Sequence, residues 1–145
     1  MDTPKEVINE LLVEVFNHIL SIEGEALRQR GIKLSMNEVH VLEAIKKTEE
    51  PTMTHLATRL RVTVGTLTTA MNRLVEKGYC TRYRGEEDKR KVLITLTKKA
   101  HEVLEIHETF HDEMIDATIK DMKLDEDEVL LQSLKNISNY FKNKY

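Results

Sequence analysis

Two histidines one helical turn apart, His107 and His111, have the spacing that places two imidazoles on one metal ion, and His40 can join them if its own helix packs against theirs. The competing explanation is plainer: ring nitrogens that are bonded within a core or line an apolar space. That explanation is preferred. A second stretch has a different chemistry. Residues 62–78 read VTVGTLTTAMNRLVEKG; Leu67, Met71 and Leu74 recur at helical spacing, while Gly65, Thr66, Thr68 and Thr69 weaken the same helix. Glycine costs about 1 kcal/mol in a helix interior relative to alanine, and threonine several tenths. Such residues belong on a helix whose exposed face must be approached closely by something else. No Ser/His/Asp set, carboxylate pair or glycine-rich phosphate loop is placed with any specificity. The chain is therefore read as a non-enzyme without a cofactor.

Charge separates the chain into parts. From Arg59 to Lys99 eleven basic residues face four acidic ones, a local +7, while residues 1–58 carry −4 and residues 100–145 carry −6. A basic centre between acidic flanks suits a protein of which only the middle meets a polyanion. With 145 residues, 40% of them hydrophobic and 32% charged, the composition is that of an ordinary globular protein. No apolar run approaches the roughly 20 residues of a membrane span, the N-terminus has no basic-then-apolar signal pattern, and Cys80 is the single cysteine. A cytoplasmic protein without membrane attachment is expected, with Cys80 a buried filler.

The elements that position these residues follow from caps and periods. Thr3-Pro4-Lys5-Glu6 is a capping box that starts a long helix, with Ile8, Leu12, Val15, Ile19, Ile22 and Ala26 as one apolar seam up to Gly31. Ser35 and Glu38 make a second capping box, followed by a helix to Lys46 and Lys47. A short helix fits Met53 to Leu60, and after Arg61 and Val62, Thr63 caps a helix over 64–76 that stops at Gly78. Two helices joined by so tight a turn make a helix-turn-helix. The period then changes: 79–84 and 92–96 read as strands around the charged turn GEEDKRK. Thr97 caps another long helix striped by Ala100, Val103, His107, Phe110, Met114 and Ala117. Asp125-Glu126-Asp127-Glu128 opens a last one, with Leu130, Leu134, Ile137 and Phe141 expected to face inward. The fold class is mainly α with a small β-hairpin wing, a winged helix-turn-helix framed by long terminal helices. Its parts are 1–34, 35–98 and 99–145.

In a helix-turn-helix the second helix enters the major groove by its N-terminal end, where bulk is a liability. Gly65 lets the backbone come near; the first-turn N–H groups favour a phosphate. Thr63, Thr66, Thr68, Thr69, Asn72 and Arg73 supply hydroxyl, methyl, amide and guanidinium groups for bases or backbone. Arg82, Arg84 and Lys89 add charge along the wing. Arg90 at its tip has the reach for the minor groove, with Asp88 to hold its direction.

Asp88-Lys89-Arg90 followed by Val92-Leu93-Ile94-Thr95-Leu96-Thr97 resembles the DxR…LT signature of MarR-type winged-helix repressors, and the resemblance covers essentially the whole chain. It implies a homodimer built on the first, fifth and sixth helices and a palindromic double-stranded operator. VTVGTLTTAMNRLVEKGY, LTKKA and EIHETFHDEM are similar to the subgroup that regulates fatty-acid biosynthesis in Gram-positive bacteria. That likeness implies a long-chain acyl-acyl carrier protein as corepressor, with Phe16, Ile19, Leu20, Val39, His40, His107, Phe110 and His111 at the acyl site. Zinc-sensing MarR-type repressors resemble the histidine arrangement too, with Glu23 as a further ligand, and give the alternative reading.

Overall fold

The computed structural model describes residues 2–145. They form two compact units, the first ending at His107 and the second comprising Glu108–Tyr145. In the first, a long helix is made of α1 (Pro4–Asn9), a π-helical segment (Glu10–Val15) and α2 (Phe16–Gln29). Thr3 and Glu6 cap its start reciprocally, as their spacing predicts. The π segment departs from the sequence reading. Its wider turns rotate the apolar seam before it relative to the seam after it. Ile8, Leu12 and Ile22 are each more than two-fifths exposed while Val15, Ile19 and Ala26 are half-buried, so the seam lies partly open along this chain.

The winged helix follows. α3 (Met36–Lys47) begins at the Ser35–Glu38 capping box, α4 (Met53–Leu60) at Thr52 and α5 (Val64–Glu76) at Thr63. Between α4 and α5, Arg61 takes a left-handed conformation (φ 58°), and Val62 N–H donates to Ala57 O at 3.1 Å. A non-glycine residue there stores roughly 1 kcal/mol of strain. The core absorbs it: Leu56, Leu67, Met71 and Leu74 are at most 1% exposed. Full burial of each side chain contributes about 1.5–3 kcal/mol, more than the weak propensity of α5 costs.

Gly78 ends α5 at φ 85°, with Tyr79 N–H returning to Leu74 O at 2.9 Å. Tyr79 is thus a buried turn residue, and the strand starts one position later than the sequence suggests. β1 (Cys80–Arg84) pairs antiparallel with β2 (Val92–Leu96), from Cys80↔Leu96 to Arg84↔Val92. The loop before α4 adds a third edge to this hairpin, through a Thr52↔Leu93 bridge and Ile94 N–H to Pro51 O at 3.0 Å. Cys80 is 2% exposed, and burial pushes its thiol up to about 12, so it is the inert filler expected.

α6 (Lys98–Lys120) starts at Thr97 and runs into the second unit, where a 3₁₀ turn (Leu124–Glu126) leads to α7 (Glu128–Lys144), capped by Asp127. α7 buries nothing. Leu134 and Phe141 are each 44% exposed, contrary to the inward stripe read from the sequence. Leu130 and Ile137 of the same stripe are half-buried, so its apolar face is only partly covered by the described residues. None of the described helices is long and apolar enough to cross a membrane.

Candidate nucleic-acid interface

α5 has two unlike faces. Leu67, Met71 and Leu74 lock one of them into the core, and Gly65, Thr66, Thr69, Asn72 and Arg73 are exposed on the other. Thr63 Oγ1 accepts from Thr66 N–H at 3.1 Å and donates to Thr66 Oγ1 at 2.9 Å, which leaves the Thr66 hydroxyl proton available to another acceptor. Thr68, half-buried, donates its hydroxyl to Val64 O at 2.8 Å, and Thr69 donates more weakly to Gly65 O at 3.4 Å. These two present methyls and lone pairs rather than protons. Asn72 Oδ1 accepts from Arg82 Nη2 on β1 at 2.5 Å, a link between helix and wing that the sequence does not announce.

The wing tip is held from inside. Asp88 grips Arg90 through three contacts: its Oδ1 takes the backbone N–H at 3.0 Å and Nε at 3.1 Å, and its Oδ2 takes Nη2 at 3.2 Å. The Arg90 side chain is nonetheless 92% exposed. Those bonds from Arg90 hold the Asp88 carboxyl below its ordinary value, so the fork survives mild acid and is lost only as pH falls through that lowered value. Arg84 Nη1 donates to Lys89 O at 2.9 Å, tying one of the wing's charges to its turn, and both residues are exposed. Lys91 reaches Glu50 at 2.9 Å and ties the wing's base to the loop before α4.

Gly85 at the base of the wing turn is a tight position that its sequence context does not announce. A Cβ there would stand 2.7 Å from Asp88 O, closer than real side chains come to backbone. Gly85→Ala is therefore expected to displace the tip, lowering stability by about 1–3 kcal/mol and weakening operator binding more than the melting change explains. Thermal melts beside binding isotherms check this; an unaltered melt with unaltered affinity would sink it.

The C-terminal end of α5 is clamped as well. Lys77 Nζ donates to Lys33 O at 3.1 Å and to Glu38 Oε2 at 3.1 Å, and Lys99 Nζ donates to Lys77 O at 2.9 Å while standing 4.4 Å from the Tyr79 ring centre. Partial burial pushes the Glu38 carboxyl up, but the Ser35 N–H and the Lys77 ammonium outweigh it and hold it low.

The residues expected at an acyl site lie on three elements, α2, α3 and α6. His107 is 4% exposed, with Nε2 2.6 Å from Glu43 Oε1. That bond holds the Glu43 carboxyl below its ordinary value against partial burial. Glu23, also buried, offers a carboxylate oxygen within 4.8 Å of a His107 ring nitrogen. Val39 is fully buried in the core, Ile19 and Leu20 are half-buried, and Phe16 is 55% exposed. Phe110 and His111, half-buried in the second unit, meet edge to face with ring centres 6.4 Å apart. His40 instead lines a cavity of about 600 Å³ whose other walls include Val41 of α3 and Thr66, Thr69 and Arg73 of α5. Of the eight residues, that cavity takes in His40 alone.

A helix-turn-helix with an exposed reading face, followed by a hairpin carrying a gripped arginine at its tip, defines a winged-helix transcriptional regulator. The MarR family profile fits residues 34–92, and the chain belongs to the MarR family. Over 109 residues it is 33% identical to the HTH-type transcriptional regulator SarZ of Staphylococcus haemolyticus, covering 74% of this chain and 73% of that one. Its fold superposes on Streptococcus pneumoniae FabT, solved in complex with DNA, with a TM-score of 0.89 and 35% identity over 97% of this chain and 99% of that one. A MarR protein from Peptoclostridium difficile shares the fold with a TM-score of 0.77 at 22% identity, over 99% of this chain and 93% of that one. SarZ is a transcriptional regulator, and this chain, a member of the same family, is a regulator and not an enzyme.

Proposed function

We propose that the chain is a homodimeric repressor that binds a two-fold operator, with α5 in the major groove and Arg90 in the minor groove. The observation that carries this reading is the two-faced α5: small, polar and exposed opposite a fully buried apolar face, with an exposed arginine aimed by Asp88 on the adjoining wing. The DNA complex of FabT supports it. Dimerisation covers the apolar residues that one chain leaves open, Ile8, Leu11 and Leu12 before α2 and, separately, Leu134 and Phe141 on α7. Two-fold symmetry then sets half-sites about 10–10.5 base pairs apart, centre to centre.

The regulated genes are those of fatty-acid biosynthesis and the corepressor is a long-chain acyl-acyl carrier protein, on the strength of the resemblance in α5 and α6. Arg28 in the last turn of α2, Arg30 at its C-cap and Lys33 just after it are exposed and carry the charge that an acidic carrier protein needs. A second reading rests on Glu23 and His107: a carboxylate and an imidazole that converge within 4.8 Å, the imidazole held by Glu43, suit zinc. The two readings separate in one titration of operator affinity. Acyl carrier proteins of increasing chain length are expected to strengthen binding by up to about 0.8 kcal/mol per CH₂ until the acyl space is full, and a chelator is expected to do nothing. Zinc-dependent binding that His107→Ala with His111→Ala abolishes, beside indifference to every acyl species, transfers the function to the second reading.

A further inference from the structure

Asn72 and Arg82 are exposed residues on different elements, joined by the 2.5 Å bond from Arg82 Nη2 to Asn72 Oδ1. A guanidinium carries donors only, so the amide atom facing it is the oxygen, and the orientation of the Asn72 amide is fixed by its partner. The NH₂ end is then the end presented away from Arg82. An exposed contact of this kind adds little to stability, which leaves orientation as its consequence.

The bases differ in what they ask of such a group. Adenine offers N7 as acceptor and N6–H₂ as donor, so an asparagine reads it with its NH₂ and its oxygen together. With Oδ1 against a guanidinium, an incoming N6–H₂ meets Arg82's own donors. Guanine offers N7 and O6 and thymine offers O4, all acceptors. We infer that Arg82 is a positioning residue that sets Asn72 as a donor, and that the pair reads guanine or thymine, and rejects adenine, at one base position of each half-site. This inference rests on α5 reading the major groove.

Selection from a library of random duplexes, followed by sequencing of the bound fraction, tests it. The intact protein is expected to enrich a two-fold site with guanine or thymine at one symmetric pair of positions. Asn72→Ala flattens the preference at that pair and leaves the others. Arg82→Leu admits adenine at the same pair, shifting its ratio to guanine about tenfold, whereas Arg82→Lys, which keeps a cationic donor for Oδ1, retains the original preference. Thermal melts of all three variants are expected to match the parent, since neither side chain is buried. The inference is overturned if Arg82→Leu weakens every duplex alike with a smaller salt slope, the mark of a phosphate contact, or if Asn72→Ala leaves every preference in place. If the intact protein enriches no sequence, the operator-reading role itself falls, and this inference with it.

Discussion

Gly65→Leu is expected to leave the protein at least as stable as the parent and to abolish operator binding. The fold does not require glycine here: its backbone is ordinary helix, and the atom nearest to an added Cβ is Thr63 Oγ1 at 3.9 Å, an ordinary contact. Removing glycine from a helix stabilises by up to about 1 kcal/mol. Thr63, the cap, keeps its bond to Thr66 N–H in the variant. What changes is the outer surface of the first turn of α5, where a leucine projects toward the space that the DNA backbone occupies in the proposed docking. A loss of affinity of at least a hundredfold, roughly 2.7 kcal/mol, is the expected size. Gly65→Ala, with one carbon added, grades the effect. Melting curves and fluorescence anisotropy on the same samples decide it, and a stable leucine variant that binds normally shows that the exposed glycine has nothing to do with DNA.

Arg90→Ala is expected to weaken operator binding by about tenfold or more per protomer and to lower the salt slope by about one for each groove charge removed. Folding is expected to be untouched, because the Arg90 side chain is 92% exposed and its hydrogen bonds among the described residues run to Asp88, itself on the wing. Asp88→Ala carries the complementary expectation. It leaves the positive charge and releases its direction, so affinity falls while the salt slope stays near that of the parent. Measuring binding across a salt series separates the two variants, and identical slopes for Arg90→Ala and the intact protein would remove the wing from the minor groove.

Much of this protein is legible without coordinates because the signals are local. Thr3 with Glu6, Ser35 with Glu38, and Thr63 with Thr66 act across one turn of chain, so their spacing alone announces three helix starts. The switch from helical to alternating period after Gly78 marks the wing, and Asp88 with Arg90 marks its tip. The buried seam of α5 and the small residues opposite it are likewise a property of one helix.

What the tertiary structure decided are the pairings between distant parts of the chain. Arg82 meets Asn72, Lys77 meets Lys33 and Glu38, and His107 meets Glu43, because packing brings these elements together; no spacing along the chain encodes those distances. The Pro51–Ile94 bond that gives the hairpin a third edge is of the same kind. Exposure was decided there too. A stripe of apolar residues shows that a helix must bury a face but not against what, so Leu134 and Phe141, apolar at helical spacing, lie open on α7 while Leu67 and Leu74, patterned alike, are sealed in a core. The physical reason is that periodicity is a property of one helix, whereas burial and charge pairing are properties of whatever lies across from it.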